Sequence, residues 1–342
     1  KVALWIESNT GDKPLTFLDH RIRCGDSLVG VFNLATLGQG IPDGAFKPLS
    51  GDDRDAVRSV KKRNRNERSG QRDLFDAAGE LEKLSQSSQA IEAISDNSPA
   101  EVRKKRESFA ESRKASNWLR TFEAANLWTA AFFQWFQPQQ RAITTAAVAD
   151  RLANEAPASR AIEVAHAIAQ RQRFFHWHLE FPEVFAEGGF DVVLCNPPWE
   201  IIELEEQEFF ASRDPEIARA PNKAARQRLI GELPQRNPAL WQEYQQTLHD
   251  IDATRKFLRA SGRFPFTARG RVNNYSVFSE LLSQLLRPNG RAGVVVPTGI
   301  ATDATNQEFF SHLVESGRLV SLYDFDNRAK LFPAVISLQK FC

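Results

Sequence analysis

The 342-residue chain sets 44 Lys and Arg against 43 Asp and Glu. That near-neutral balance excludes a uniformly basic nucleic-acid coat and confines any polyanion contact to local patches. With 42% hydrophobic and 25% charged residues, a disordered or fibrous chain is excluded too, and the length predicts two domains or one domain with large insertions.

No apolar run approaches the roughly 18 residues that a spanning helix needs, so no membrane partner is expected. Val2-Ala3-Leu4-Trp5-Ile6 is too short for a signal-peptide core and opens the chain in mid-pattern, as expected of a piece of a longer protein. Cys24, Cys195 and Cys342 form no paired motif, which points away from a disulfide framework or zinc site and towards a reducing cytoplasm. Arg21-Ile22-Arg23-Cys24 reads as a short strand ending at Gly25-Asp26-Ser27. From about Asp52 to Arg173 the pattern is polar and helix-periodic, and Pro138 and Pro157 divide it into separate helices. Trp118, Phe122, Trp128, Phe132 and Phe136 recur at helical intervals and predict a packing stripe of one helix on another.

Strand character returns at 190–195, 293–296, 319–323 and 334–338. Helical patterns lie between, over 276–286 and 306–315, the first closed by Arg287-Pro288-Asn289-Gly290 and the second by Gly317. This rhythm predicts an α/β fold, a partial doubly wound Rossmann-like sheet with a large helical insertion and buried parallel strands. The expected divisions are 1–40 for the start of the sheet domain with its first strands missing, 41–175 for the helical insertion, and 176–342 for the main core with a helical, basic insertion at about 203–270. In such sheets ligands bind beyond the carboxyl ends of the strands, which draws attention to Asp26-Ser27, to Asn196-Pro197-Pro198-Trp199, to Pro297-Thr298 and to Asp324-Phe325-Asp326.

Asn196-Pro197-Pro198-Trp199 directly follows the strand Asp191–Cys195. Two prolines remove two donors, so backbone carbonyls there are left unshared beside the Asn196 carboxamide. Two acceptors a few ångströms apart suit one exocyclic amino group with two hydrogens, and Trp199 offers a face for a planar base, worth roughly 1–3 kcal/mol. Holding both N–H bonds aims the nitrogen lone pair, activating a poor nucleophile by position and electrostatics.

With these residues the chain resembles the N6-adenine DNA methyltransferases, most closely the large adenine-specific enzymes of restriction-modification and BREX-type phage-exclusion systems. The likeness extends over Leu15–Leu28, Phe175–Trp177 with Phe181–Phe185, Phe209–Pro215, Arg269–Tyr275, Val296–Asp303, Leu322–Phe325 and Leu331–Val335. It implies S-adenosyl-L-methionine as methyl donor and, as acceptor, an adenine flipped out of double-stranded DNA. It implies that Asn196 and the Pro197 carbonyl hold the amino group, with Pro198 completing the element. Trp199 and Phe332 stack on the base, and Asp26, with Ser27, meets the adenine of the cofactor. The family's glycine-rich cofactor loop is absent, since Gly38-Gln39-Gly40 reads as a turn, and so is its ribose-binding acid. A missing N-terminal cofactor-loop segment and a C-terminal target-recognition domain of the same protein are therefore expected partners. The same crevice would also serve a methyltransferase acting on an RNA guanine or a protein glutamine amide, and a non-catalytic DNA-binding fragment is the reading from another class.

Arg263, Arg269 and Arg271 lie in a stretch without acids, interleaved with Phe264 and Phe266, and are candidates for phosphate contact. Lys61-Lys62-Arg63-Asn64-Arg65 and Arg103-Lys104-Lys105-Arg106 read as charged helix faces, with a DNA-embracing arm as the sharper alternative. His176 and His178 with Glu180 lack a third spaced ligand and are expected in packing, with no metal. Asp324 and Asp326 read as a strand-end turn, and Cys195 as a buried strand residue. Without the glycine-rich loop the chain alone should bind S-adenosylmethionine weakly; calorimetric titration showing micromolar affinity would contradict this.

Overall fold

Polar sequence free of β-branched clusters forms helices after Asp52, and several begin where a short polar side chain supplies the acceptor that the first turn lacks. The computed structural model describes residues 2–8, 14–70, 75–138, 142–153, 159–330, 333 and 340–342. Helix α1 (Arg54–Gly70) is opened by Asp53, whose Oδ1 accepts from Ala56 N at 2.6 Å. Helix α2 (Ala77–Glu92) is capped by Asp76, which accepts from Gly79 N at 2.9 Å. For α3 (Pro99–Ser112), Ser98 Oγ accepts from Glu101 N at 3.3 Å and donates to Glu101 Oε2 at 2.9 Å, with proline in the first turn where no donor is missed. Helices α4 (Ser116–Ala130), α5 (Thr145–Leu152) and α6 (Ser159–Gln172) complete this run.

The aromatic stripe does not lie on one helix. Helix α4 carries Trp118, Phe122 and Trp128, but it ends at Ala130; Phe132, Phe133 and Phe136 follow in turn and extended backbone. All three are nevertheless buried: Phe257 of α8 (Pro238–Ala260) packs 5.1 Å from Phe132 and 6.2 Å from Phe133 between ring centres, and Phe136 packs 6.0 Å from Phe46. One apolar core thus joins Leu28 and Phe46 near the front, Trp128 of α4, Phe257 of α8 and Leu281 of α9 (Asn274–Leu285). A smaller core gathers Phe209, Phe210, Ile217 and Ile230 around the first half of α8, through Leu240 and Tyr244; Ile230 belongs to α7 (Lys223–Arg236).

Strands β1 (Phe190–Cys195) and β2 (Leu286–Val294) pair in parallel, with Val193 opposite Ala292 and Cys195 opposite Val294. Strand β2 starts earlier than expected: Arg287-Pro288-Asn289-Gly290 is absorbed as an irregularity between the Phe190–Leu286 and Val192–Arg291 pairs. Gly189, at φ +126°, allows that close start, since a Cβ there would lie 2.5 Å from the Leu285 carbonyl. Beyond β2, Val296 and Cys342 exchange both backbone bonds, at 2.9 and 2.8 Å. Lys340–Phe341 (β4) in turn pairs antiparallel with Phe325–Asp326 (β3). The described strands therefore form two two-stranded sheets, β1–β2 parallel and β3–β4 antiparallel, linked by an isolated antiparallel bridge between Pro297 and Phe341. After β2 the chain passes through α10 (Gln307–Glu315).

Three strand expectations are corrected. Residues 21–24 form no ladder; the β contact there is a single parallel bridge from Asp26 to Phe174. Residues 319–323 are extended without a ladder partner among the described residues. The strands are also not buried on both faces: Val193 and Cys195 pack on the main core, whereas Val192 and Leu194 are 59% and 80% exposed. The expected strand at 334–338 lies outside the described residues.

Phe257→Ala removes the ring that holds the post-α4 aromatics in place and should destabilise the chain by about 3–5 kcal/mol. Urea unfolding followed by circular dichroism checks this as a lower midpoint at unchanged slope.

Candidate active site

The end of β1 is tied to β2 by one bond, Val295 N donating to the Cys195 carbonyl at 3.1 Å. The chain then leaves the sheet through Asn196-Pro197-Pro198, where burial alternates: Asn196 exposed, Pro197 buried, Pro198 exposed. Neither proline has an N–H, so no ladder continues. Among the described residues the Asn196 carboxamide has no hydrogen-bond partner, and the Pro197 carbonyl accepts nothing. Trp199 is half-buried; its Nε1 donates to the Val295 carbonyl at 3.3 Å, and its ring lies 6.2 Å from that of Phe341 at 35°. The indole is thereby oriented from β2 and packs with Val296, Ile300 and Phe309. A cavity of about 1580 Å³ borders this corner, lined among others by Leu194, Asn196, Val295 and Tyr323.

A buried network beneath the next loop went unassigned in the sequence. Tyr275 Oη donates to Asp303 Oδ2 at 3.2 Å and accepts from Asn306 Nδ2 at 3.3 Å, while the same Nδ2 donates to the Gly299 carbonyl at 2.9 Å. Burial and the neighbouring Asp303 raise the Tyr275 hydroxyl pKa, with burial the larger cause. Thr298 Oγ1 donates to Asp324 Oδ1 at 2.8 Å. These bonds fix Pro297–Asp303, the segment after β2 that faces the end of β1. Tyr275 and Asp303 belong to stretches that carried the family likeness, but neither residue type nor spacing disclosed that they meet.

Among the described residues no hydrogen bond joins Asp26 or Ser27 to Asn196. Asp26 Oδ1 accepts from Leu28 N at 3.0 Å, and burial raises the carboxyl pKa against the opposing pull of that amide and of Arg263. The Ser27 carbonyl accepts from Trp177 Nε1 at 3.0 Å, and Trp177 packs edge-on against Phe190, the first residue of β1. The Asp26 turn is therefore anchored beside the start of β1, whereas Asn196 follows its end. Phe332, expected on the second face of the base, lies outside the described residues.

The phosphate reading of Arg263 is also corrected. Its guanidinium donates to the carbonyls of Leu28, Gly30 and Ser27 at 2.9, 3.0 and 3.4 Å, and its Nε is buried without a partner. Burial lowers its pKa to about 9, against the attraction of Asp26. The side chain is an internal clamp. Arg269 and Arg271 stay exposed, in ion pairs with Glu308 and Glu203.

His176 and His178 sit in packing. Val31 N donates to His176 Nδ1 at 3.0 Å, so Nε2 carries the proton it presents to Asn126 Oδ1, also at 3.0 Å. His178 stacks on Phe185 at 4.6 Å. Asp326 caps Arg328 N at 3.2 Å and pairs with its guanidinium, as a strand-end turn does. Among the described residues no group of three His, Cys, Asp or Glu side chains could hold a metal ion, and no helix is long and apolar enough to cross a membrane. Cys195 is half-buried, and burial raises its thiol pKa.

Residues 72–225 match the family model of the Eco57I restriction-modification methylases, which supports a DNA methyltransferase domain of restriction-modification type in this stretch. The matched stretch contains the Asn-Pro-Pro-Trp element. No curated protein and no solved structure matches the chain.

The two histidines make a pH dependence that fixes their role. Burial lowers their pKa values to about 3 for His176 and about 4 for His178, while an unfolded histidine protonates near 6.5. Between those values the unfolded chain binds the extra protons, so stability is complete above about pH 6.5 and is lost as pH falls, by about 1.4 kcal/mol per pH unit for each histidine. Replacing His178 by Phe, which keeps the stack on Phe185, should make this decline shallower in urea melts from pH 7 to 4.5.

Proposed function

We propose that the chain is the catalytic core of a DNA adenine N6-methyltransferase of a restriction-modification or phage-defence system, with S-adenosylmethionine as donor. The observation that carries this reading is the free pair of acceptors after β1: an unpartnered Asn196 carboxamide beside a Pro197 carbonyl that accepts nothing, among the described residues. The match of the surrounding segment to the restriction-modification methylases supports the reaction class.

On the acceptor side, Asn196 Oδ1 and Pro197 O each take one hydrogen of the exocyclic amino group. That geometry turns the nitrogen lone pair out of conjugation with the ring and directs it away from the strand end. The prolines matter because a backbone N–H at either position would compete as donor for the same oxygens. Trp199 supplies a flat face whose orientation is held by the Val295 carbonyl. Leu194 and Val295 give the rest of the corner an apolar character, which strengthens the two polar contacts.

S-adenosylmethionine supplies the methyl group in this reading. The described residues do not by themselves form its full cradle: the Asp26 carboxylate is tied to Leu28 N at the far end of β1, and no glycine-rich turn lies beside Asn196. The roles derived from this chain therefore concern the base alone.

Asn196→Ala in the complete protein should lower methyl transfer to duplex DNA on the order of a thousandfold, the loss seen when a preorganised polar contact to the reacting group is removed. DNA binding should be retained. Tritium transfer to duplex DNA, to RNA and to a release factor measures both the loss and the acceptor class. An unaltered rate on DNA rejects the mechanism, and transfer to RNA or protein alone rejects the acceptor.

A further inference from the structure

Helix α1 concentrates charge that the whole chain does not have. Over Arg54–Gly70 it carries seven basic residues against Asp55 and Glu67, in a protein of net charge +1. At about 100° per residue, Arg54, Arg58, Lys61, Lys62, Arg65 and Arg68 fall within an arc of roughly 120°, so one side of the helix is cationic along about 21 Å. Five of these six are exposed and Lys61 is half-buried.

The helix is not a mobile arm. Along one edge of the cationic arc it carries Val57 and Asn64, both buried; Asn64 Nδ2 donates to the Ile41 carbonyl at 2.9 Å, and its Oδ1 accepts from Thr145 N and Oγ1 at 2.9 and 2.8 Å. Arg63, off the stripe, donates to the Ala142 carbonyl at 3.1 Å and pairs with Glu67. The stripe is thus held in one orientation by the buried edge beside it.

Few acids answer it. Asp55 pairs with Arg58, and Asp43, from the short turn Asp43–Phe46, pairs with Arg65 and reaches Arg68 at 3.9 Å. Arg54, Lys61 and Lys62 have no ion pair among the described residues. A rigid row of cations, partly uncompensated, with no aromatic side chain on the helix to stack a base, fits a regular array of phosphates. Duplex DNA offers one negative charge per roughly 1.7 Å of axis.

We infer that the cationic side of α1 is a docking surface for the phosphate backbone of duplex DNA, independent of sequence. The inference rests on the proposed DNA substrate of the Asn196 site and adds a surface that orients the duplex from outside that site. Contacts of this kind position DNA without reading bases, and each one releases a condensed counterion.

The test is fluorescence anisotropy with a labelled 30-base-pair duplex at several salt concentrations, with melting curves to confirm folding. Relative to the native chain, Arg54→Gln/Lys61→Gln/Lys62→Gln should reduce the log–log salt slope by about 2–3, and Lys62→Gln alone by about 0.9. Arg103→Gln/Lys104→Gln/Arg106→Gln on α3 should leave the slope unchanged. The inference is overturned if both α1 variants keep the native slope, if the α3 variant loses as much, if the native chain binds no duplex, or if RNA binding alone responds. Loss of the slope effect with methylation intact overturns this surface alone. A native complete protein that shows the slope effect but transfers no methyl group overturns the catalytic reading alone.

Discussion

The bond from Val295 N to the Cys195 carbonyl is the constraint on which the site depends. It is the last rung between the two central strands, and it fixes where β1 stops being a strand. Two residues later the backbone enters two prolines, so the ladder ends for lack of donors. The Val295 carbonyl then takes the Trp199 indole N–H at 3.3 Å. A single residue, Val295 just beyond β2, therefore sets both the end of the strand and the orientation of the aromatic ring that follows. Behind it, the Tyr275–Asp303–Asn306 network, with Tyr275 and Asn306 buried, holds the loop after Val296.

Much of this corner was legible in the sequence because its causes are local. Proline's missing donor and an apolar run before it mark a strand that ends in free carbonyls, and helices α9 and α10 follow their periodicity to within two residues at each end. The histidines were legible for a similar reason: aromatic neighbours at 174, 175, 177 and 181 left no room for a solvated metal site. Failures came where long-range packing decides. Phe132, Phe133 and Phe136 keep helical spacing after the helix has stopped, because burial against residues about a hundred positions away (Phe257 for the first two, Phe46 for the third) selects the spacing and not the backbone conformation. Residues 21–24 are β-branched only at Ile22, and their extended backbone finds a single bridge, at Asp26, instead of a ladder.

Arginine is the residue type whose role the sequence disclosed least. Arg263 stands in a basic stretch with phenylalanines, the composition of a phosphate-tracking loop, yet its guanidinium lies on three carbonyls of the Ser27–Gly30 turn. Its fork of donors matches adjacent backbone oxygens as well as it matches phosphate, and nothing local tells the two uses apart. Helix α1 is the opposite case. Its basic residues share one arc, which the structure leaves exposed beside the buried edge formed by Val57 and Asn64. Charge becomes informative once the helical period assigns it a face and the packing residues claim another.

The strand period explains why the proposed acceptor pair is open at all. Successive side chains of β1 alternate between the main core and the uncovered face: Val193 and Cys195 inward, Val192 and Leu194 outward. The alternation of exposure persists past the end of the strand, with Asn196 exposed and Pro197 buried. The carboxamide thus continues the Leu194 row on the open face. The buried Pro197 ring pins the same turn to the core side. A one-residue slip of register would carry the Asn196 amide into the core, where an unpaired polar group costs about 1–3 kcal/mol, and would turn the proline outward. The core packing of Val193 and Cys195 is therefore what keeps the acceptor on the face where a planar amino group could reach it.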